Sequence, residues 1–153
     1  MSESVAATHS AVVEREFPFP PEKVWRALTQ PHLIEEWLMK NDFKPVVGHR
    51  FNLRNNPRPD VDIVLDCQVL AVEPNKTLSY TWNFDDAANG LTSVVTFTLT
   101  PTRTGTHLRM EQSGFRPDQP QNYRGATAGW HRFLAAMEPV LARMDRTDGA
   151  IRS

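Results

Sequence analysis

Between Gly48 and Ser113 the apolar residues stop recurring at threes and fours and recur at twos. No motif in the chain constrains its fold as much as this change of period. A period of two belongs to extended strands, whose successive side chains face opposite ways, and a period near 3.6 belongs to helices. Five runs carry the shorter period. The first is His49 to Arg54, closed by the turn-rich Asn55-Asn56-Pro57-Arg58-Pro59-Asp60. In the second, Ile63, Leu65, Cys67, Val69 and Ala71 share one face against Asp62, Asp66 and Gln68, until Pro74-Asn75 turns the chain. The third alternates Leu78, Tyr80, Trp82 and Phe84 with Ser79, Thr81 and Asn83 before Asn89-Gly90. The fourth sets Leu91, Val95, Phe97 and Leu99 against Thr92, Thr96, Thr98 and Thr100, and the fifth sets Leu108 and Met110 against His107, Arg109 and Glu111. Connections this short join only antiparallel neighbours, because a parallel crossover needs a dozen or more residues.

The flanks of this meander read differently. Ser10 to Phe17 forms a strand that stops at Pro18, Pro20 and Pro21, where proline forbids further pairing. Pro21 then suits a first helical position with Glu22 beside it, and Val24, Trp25 and Leu28 share a helical face. Pro31 ends that helix and opens a second, whose apolar side is Leu33, Ile34, Trp37 and Leu38. A long helix closes the chain from about Gln121 to Met144. Its stripe runs through Tyr123, Thr127, Trp130, Phe133, Leu134, Met137 and Leu141. Pro139 inside it predicts a kink there or a break after Glu138. The class is therefore α+β, with six strands and a terminal helix that supplies the one apolar stripe long enough to cover the sheet.

Composition narrows the function. The 153 residues carry 17 Lys and Arg against 18 Asp and Glu, so the chain has no basic footprint for nucleic acid. One domain fits this length, with an ordered core of about residues 9–145. The single cysteine, Cys67, excludes an internal disulfide and lies on the apolar face of its run, where an inert buried thiol is expected. The N-terminus has neither a basic stretch nor an apolar core of signal length, and no stretch is apolar enough to span a membrane. The expected location is the cytoplasm. The five histidines, His9, His32, His49, His107 and His131, form no zinc-hydrolase pair. No phosphate loop or nucleophile elbow is present, so no metal, cofactor or catalytic set is expected. Gln112 continues the parity of Leu108 and Met110, which either points a polar amide inward to orient a ligand or leaves it in water at a strand end. Arg109 belongs to the polar parity. Reversed, it would sit inside and could hold a carboxylate or enolate.

The run Phe17-Pro18-Phe19-Pro20-Pro21-Glu22-Lys23-Val24-Trp25-Arg26-Ala27-Leu28-Thr29, then Trp37, Gly48 to Phe51, Glu73-Pro74 with Leu78 and Trp82, Gly105-Thr106 with Gly114-Phe115, and Gly129-Trp130 with Leu134 carry a resemblance. Together they resemble the activator of heat-shock protein 90 ATPase homologue-like family of the SRPBCC superfamily. The resemblance implies a helix-grip fold, in which a curved antiparallel sheet wraps around the C-terminal helix and leaves a hydrophobic cavity. It would then bring together Trp37, Phe51, Tyr80, Trp82, Phe97, Tyr123 and Trp130. Leu65, Leu108, Thr127, Gln112 and the adaptable Met39 and Met110 would complete the lining. The function it implies is binding of a lipid, polyketide or flavonoid-like molecule. The alternatives are a polyketide cyclase or aromatase, and a protein that modulates a chaperone ATPase. Co-chaperones of this family carry an additional N-terminal domain that engages the chaperone, whereas about nine residues precede the first strand here, which places the chaperone partner last. An exposed apolar strand edge or helix face would allow a homodimer.

Overall fold

Prolines set the first boundaries in the computed structural model, which describes residues 9–84, 93–115 and 120–152. The Asn89-Gly90 turn, with Leu91 and Thr92, lies outside the described residues. Strand β1 (His9–Phe17) stops at Pro18, and helix α1 (Pro21–Thr29) starts one residue after Pro20. The Pro20 carbonyl accepts from the Lys23 and Val24 amides at 3.0 and 3.2 Å. Gln30 then serves two helices. Its amide donates to Arg26 of α1, and its carbonyl accepts from Leu33 and Ile34 of α2 (Pro31–Trp37), each at 2.9 Å. No side chain caps either N-terminus, and proline at the first helical position supplies the fixed φ instead.

The described strands continue as β2 (Lys40–Asn41), β3 (Arg50–Arg58), β4 (Val61–Glu73), β5 (Thr77–Phe84), β6 (Ser93–Pro101) and β7 (Thr106–Phe115). All pair antiparallel in one open sheet of seven strands, in the order β1-β7-β6-β5-β4-β3-β2. The count exceeds the six expected because β2 is two residues long and binds Leu53 and Arg54 of β3, too short to impose a period. Two further differences come from bulges. β3 continues through Asn55, Asn56 and Pro57 instead of turning there, with its pairing to β4 shifted between Asn55 and Arg58. Pro57 lies beyond the reach of β2, on an open strand edge where its missing N–H is tolerated. In β4 a bulge between Val69 and Ala71 reverses the alternation, so Val72 takes the inward place expected for Ala71 and packs on the core.

Helix α3 (Pro120–Arg152) runs unbroken through Pro139, past the expected end at Met144. Pro139 itself is exposed, as is Ala135, the residue whose carbonyl loses its partner, so water can satisfy that group. Met137, Val140, Leu141 and Met144 on the other side are buried and hold the helix down. The backbone of α3 comes closest to β1, α1, α2 and β7. It spans the inner face from that side, and from it Trp130 reaches Trp82 of β5 and Phe97 of β6. Among the described residues no helix is long and apolar enough to cross a membrane.

Candidate functional site

Strand alternation decides what faces α3. Phe51 and Leu53 on β3, Leu65, Cys67 and Val69 on β4, Leu78, Tyr80 and Trp82 on β5, Val95 and Phe97 on β6, and Leu108, Met110 and Gln112 on β7 are all buried. From α3 come Trp130, Leu134, Met137 and Leu141, also buried. The aromatic rings form a connected series. Phe51 meets Tyr80 edge-on at 5.1 Å between centroids, Tyr80 meets Phe97 at 6.1 Å, and Phe97 meets Trp130 at 5.7 Å. Trp82 lies 5.1 Å from Trp130, and Trp37 of α2 approaches Phe97 edge-on at 6.3 Å. Such offset and edge contacts are the favoured geometry for aromatic quadrupoles. The Trp37 indole donates to the Ala27 carbonyl at 2.8 Å, so its polar tip is used within the helical pair.

One polar chain crosses this apolar layer. The Trp130 indole donates to Gln112 Oε1 at 2.8 Å, Gln112 Nε2 donates to Ser93 Oγ at 3.0 Å, and the Ser93 hydroxyl donates to the Trp82 carbonyl at 2.5 Å. Gln112 therefore faces inward, and both ends of its amide are held by protein groups. Met39 and Thr127 are half-buried at the margin of the layer, and the side chain of Tyr123 lies outside the described residues. The strand ends Phe84, Ser93 and Phe115 and the start of α3 all fall at one end of the sheet, beside Trp82 and Trp130.

Two contributors escaped the sequence pattern, and a third was visible in it only in part. Phe43 packs edge-on against Phe51 at 5.0 Å and tilts over Tyr80 at 6.1 Å, but it belongs to a connection that has no period. Phe133 meets Trp130 at 5.5 Å and was visible only as one member of the helical stripe. Ser93 lies on the same parity as Val95 and Phe97, so the signal for it was a polar residue on an apolar face.

The interior resists charge. Burial pushes the Cys67 thiol up to about 12, with the Asp66 and Asp42 carboxylates adding to it. The Tyr80 hydroxyl is raised well above its ordinary value by burial, with Cys67 adding to it. The charged parity of β7 lies on the opposite face. Arg109 donates to Glu111 at 2.9 Å, and His107 lies 2.6 Å from Glu14 of β1. The reversed parity that would bring Arg109 inside is thus not adopted. Among the described residues no group of three or more histidine, cysteine, aspartate or glutamate side chains could hold a metal ion. Concave sites among the described residues include two. One, of about 470 Å³, is lined by Arg50, Phe51, Asn52, Asp66, Cys67, Gln68, Thr81 and Asn83 of β3, β4 and β5. The other, of about 670 Å³, lies where Pro20-Pro21, the Pro74-Asn75 turn and Pro101 meet.

Comparison with known proteins places this geometry. No curated protein matches the chain. Among solved structures, protein MLL2253 from Mesorhizobium loti is 67% identical, with a TM-score of 0.80 over 88% of this chain and 98% of that one. Protein BH1534 from Bacillus halodurans is 26% identical, with a TM-score of 0.72 over 87% of this chain and 96% of that one. DynU16, a protein of the dynemicin biosynthetic locus, is 25% identical with a TM-score of 0.75, and the match covers 87% of this chain and 47% of that one. The family model described as Activator of Hsp90 ATPase homolog 1-like protein matches residues 18–142, and the chain belongs to that family.

Proposed function

We propose that the protein binds a hydrophobic small molecule, lipid, polyketide or flavonoid-like, between the sheet and α3. The observation that carries this reading is the ring series from Phe51 through Tyr80 and Phe97 to Trp130 and Trp82, which spans the two layers where backbone packing does not. Flat rings with a few fixed polar groups suit a flat apolar ligand. Leu65, Leu108 and Met110 supply the aliphatic floor, and Met39 and Thr127 belong to the end where the ligand enters. Similarity to DynU16, a putative protein in the dynemicin biosynthetic locus, supports a biosynthetic small molecule as the ligand. Binding without chemistry is favoured because Arg109, the group an enzyme would use to hold an enolate, is paired with Glu111 on the outer face.

Thermal denaturation against a panel of fatty acids, flavonoids and polyketide-like aromatics tests the reading. A ligand at one hundred times its dissociation constant adds about 2.7 kcal/mol and raises the midpoint by about 5–10 °C for a domain of this size. The same ligand is expected to quench the emission of Trp82 and Trp130. A broad panel that moves neither the midpoint nor the emission overturns the assignment.

A further inference from the structure

Two polar tips on the inner face of β5 are unused. Tyr80 and Trp82 lie two residues apart, so both point inward, and they are only 4% and 8% exposed. Among the described residues neither the Tyr80 hydroxyl nor the Trp82 N–H has a hydrogen-bond partner. The polar groups around them are engaged. The Trp130 N–H is held by Gln112, the Trp37 N–H by the Ala27 carbonyl and the Ser93 hydroxyl by the Trp82 carbonyl, while Ser79 Oγ lies 3.1 Å from Thr96 Oγ1 on the opposite face of the sheet. Arg15 Nε is sealed without a partner, whereas the Tyr80 oxygen and the Trp82 nitrogen each keep open surface. Buried donors without a partner are rare, because leaving one unpaired costs its full desolvation. Two on one strand face, each with space beside it, mark a place where a group other than protein completes the bonds.

The chemistry of the two tips selects what that group is. An indole N–H only donates. Burial holds the Tyr80 phenol well above its ordinary value, so it stays neutral and keeps its proton to donate. The rings around Tyr80, those of Phe43, Phe51 and Phe97, bring no charge to balance a carboxylate. We propose, on the reading that a ligand lies between the sheet and α3, that the Tyr80 hydroxyl and the Trp82 N–H donate to carbonyl oxygens of that ligand, which is a flat aromatic ketone or quinone. A fatty chain or a plain aromatic hydrocarbon fills the same apolar space but leaves both donors unanswered.

Isothermal titration of the full chain with two matched pairs tests this, fluorenone against fluorene and 1-tetralone against tetralin, since each pair differs only in one carbonyl. Tyr80→Phe keeps the ring and removes the donor. It is expected to weaken both ketones by roughly three- to tenfold and to leave both hydrocarbons bound as before. Trp82→Phe also trims the ring, so its effect is read in the ratio of ketone to hydrocarbon affinity, which is expected to fall as well. Without ligand, Tyr80→Phe is expected to melt no lower than the parent protein, because no protein group loses a partner. A lower melting temperature would show that the hydroxyl already holds a protein group, and overturns the proposal. So does an equal loss for ketone and hydrocarbon, or no loss for either, and both results leave binding between the layers standing. Binding of a fatty acid but of none of these four probes overturns the ligand class alone. If no compound of any class binds, the interlayer site itself is lost and the two donors have no ligand to answer them.

Discussion

Gln112 has its amide held at both ends, by Trp130 on one side and Ser93 on the other. Replacing it with leucine keeps the volume but leaves the buried Trp130 N–H without an acceptor. The expected cost is about 1–3 kcal/mol in urea denaturation, and an unchanged midpoint would show that the indole finds another partner. Alternation along β7 made the inward direction of Gln112 legible, but the partner that holds it lies on another element 18 residues on, which no local pattern reveals. Cys67 was legible in full, because the same alternation that buries it also makes it inert. With its thiol pushed up to about 12, alkylation by iodoacetamide near pH 8 is expected to be roughly a thousandfold slower in the folded protein than in urea. Gly105 carried a signal only as part of the family resemblance. A Cβ there would lie 2.0 Å from the Phe17 carbonyl oxygen and 2.7 Å from the Phe19 amide nitrogen, both backbone atoms that cannot swing away. The β6–β7 turn thus presses directly on the exit of β1, a contact between positions far apart in the chain.

At the scale of elements, β1 is an edge strand held on its outer face by charge. His107 of β7 sits against Glu14 and Glu16 of β1, and its hydrogen bond to Glu14 raises its pKa above the usual 6.5. A group whose folded pKa is raised stabilises the fold fully below its unfolded value and loses that contribution as pH rises through the folded one. Stability is therefore expected to fall between about pH 6 and 8. Glu14→Gln should flatten that slope in urea titrations, and the effect should be small because the pair is largely exposed. A slope unchanged in Glu14→Gln would assign it to another histidine. Pro139 is the second element-level case. The sequence correctly marks it as a fault in α3, but whether a helix breaks at proline depends on what holds the two sides. Here Met137, Val140, Leu141 and Met144 anchor both against the core. Pro139→Ala restores the missing hydrogen bond to Ala135 and is expected to raise stability by about 2 kcal/mol, net of the added freedom of the unfolded chain. The bulge at Leu70 and the short strand β2 were illegible for a different reason, since both are properties of pairing between strands and leave no trace in the period of either one.

The whole molecule is two layers joined through side chains more than through backbone, and Trp130 is where that joint concentrates. Its ring touches Trp82, Phe97 and Phe133, and its N–H reaches Gln112. The layered architecture was legible because a six-run sequence pattern and one long stripe allow few other solutions. The closeness of the rings was not, because it depends on how far α3 stands from β5 and β6. Trp130→Ala removes the joint and is expected to cost about 3–5 kcal/mol, since the surrounding rings collapse only partly into the space. That space has the shape of an indole, apolar walls, and at one point the Gln112 carbonyl oxygen left without a donor. Apolar cavities of this kind admit small aromatic guests. Added indole is therefore expected to restore part of the lost melting temperature. Naphthalene, similar in area but without an N–H, should restore less, by the equivalent of about 1–3 kcal/mol for the unsatisfied acceptor. Equal rescue by the two would mean that Gln112 reorients once Trp130 is gone. Rescue by neither would mean that the sheet closes directly onto α3, and a sheet free to close in that way would leave the proposed ligand no room between the layers.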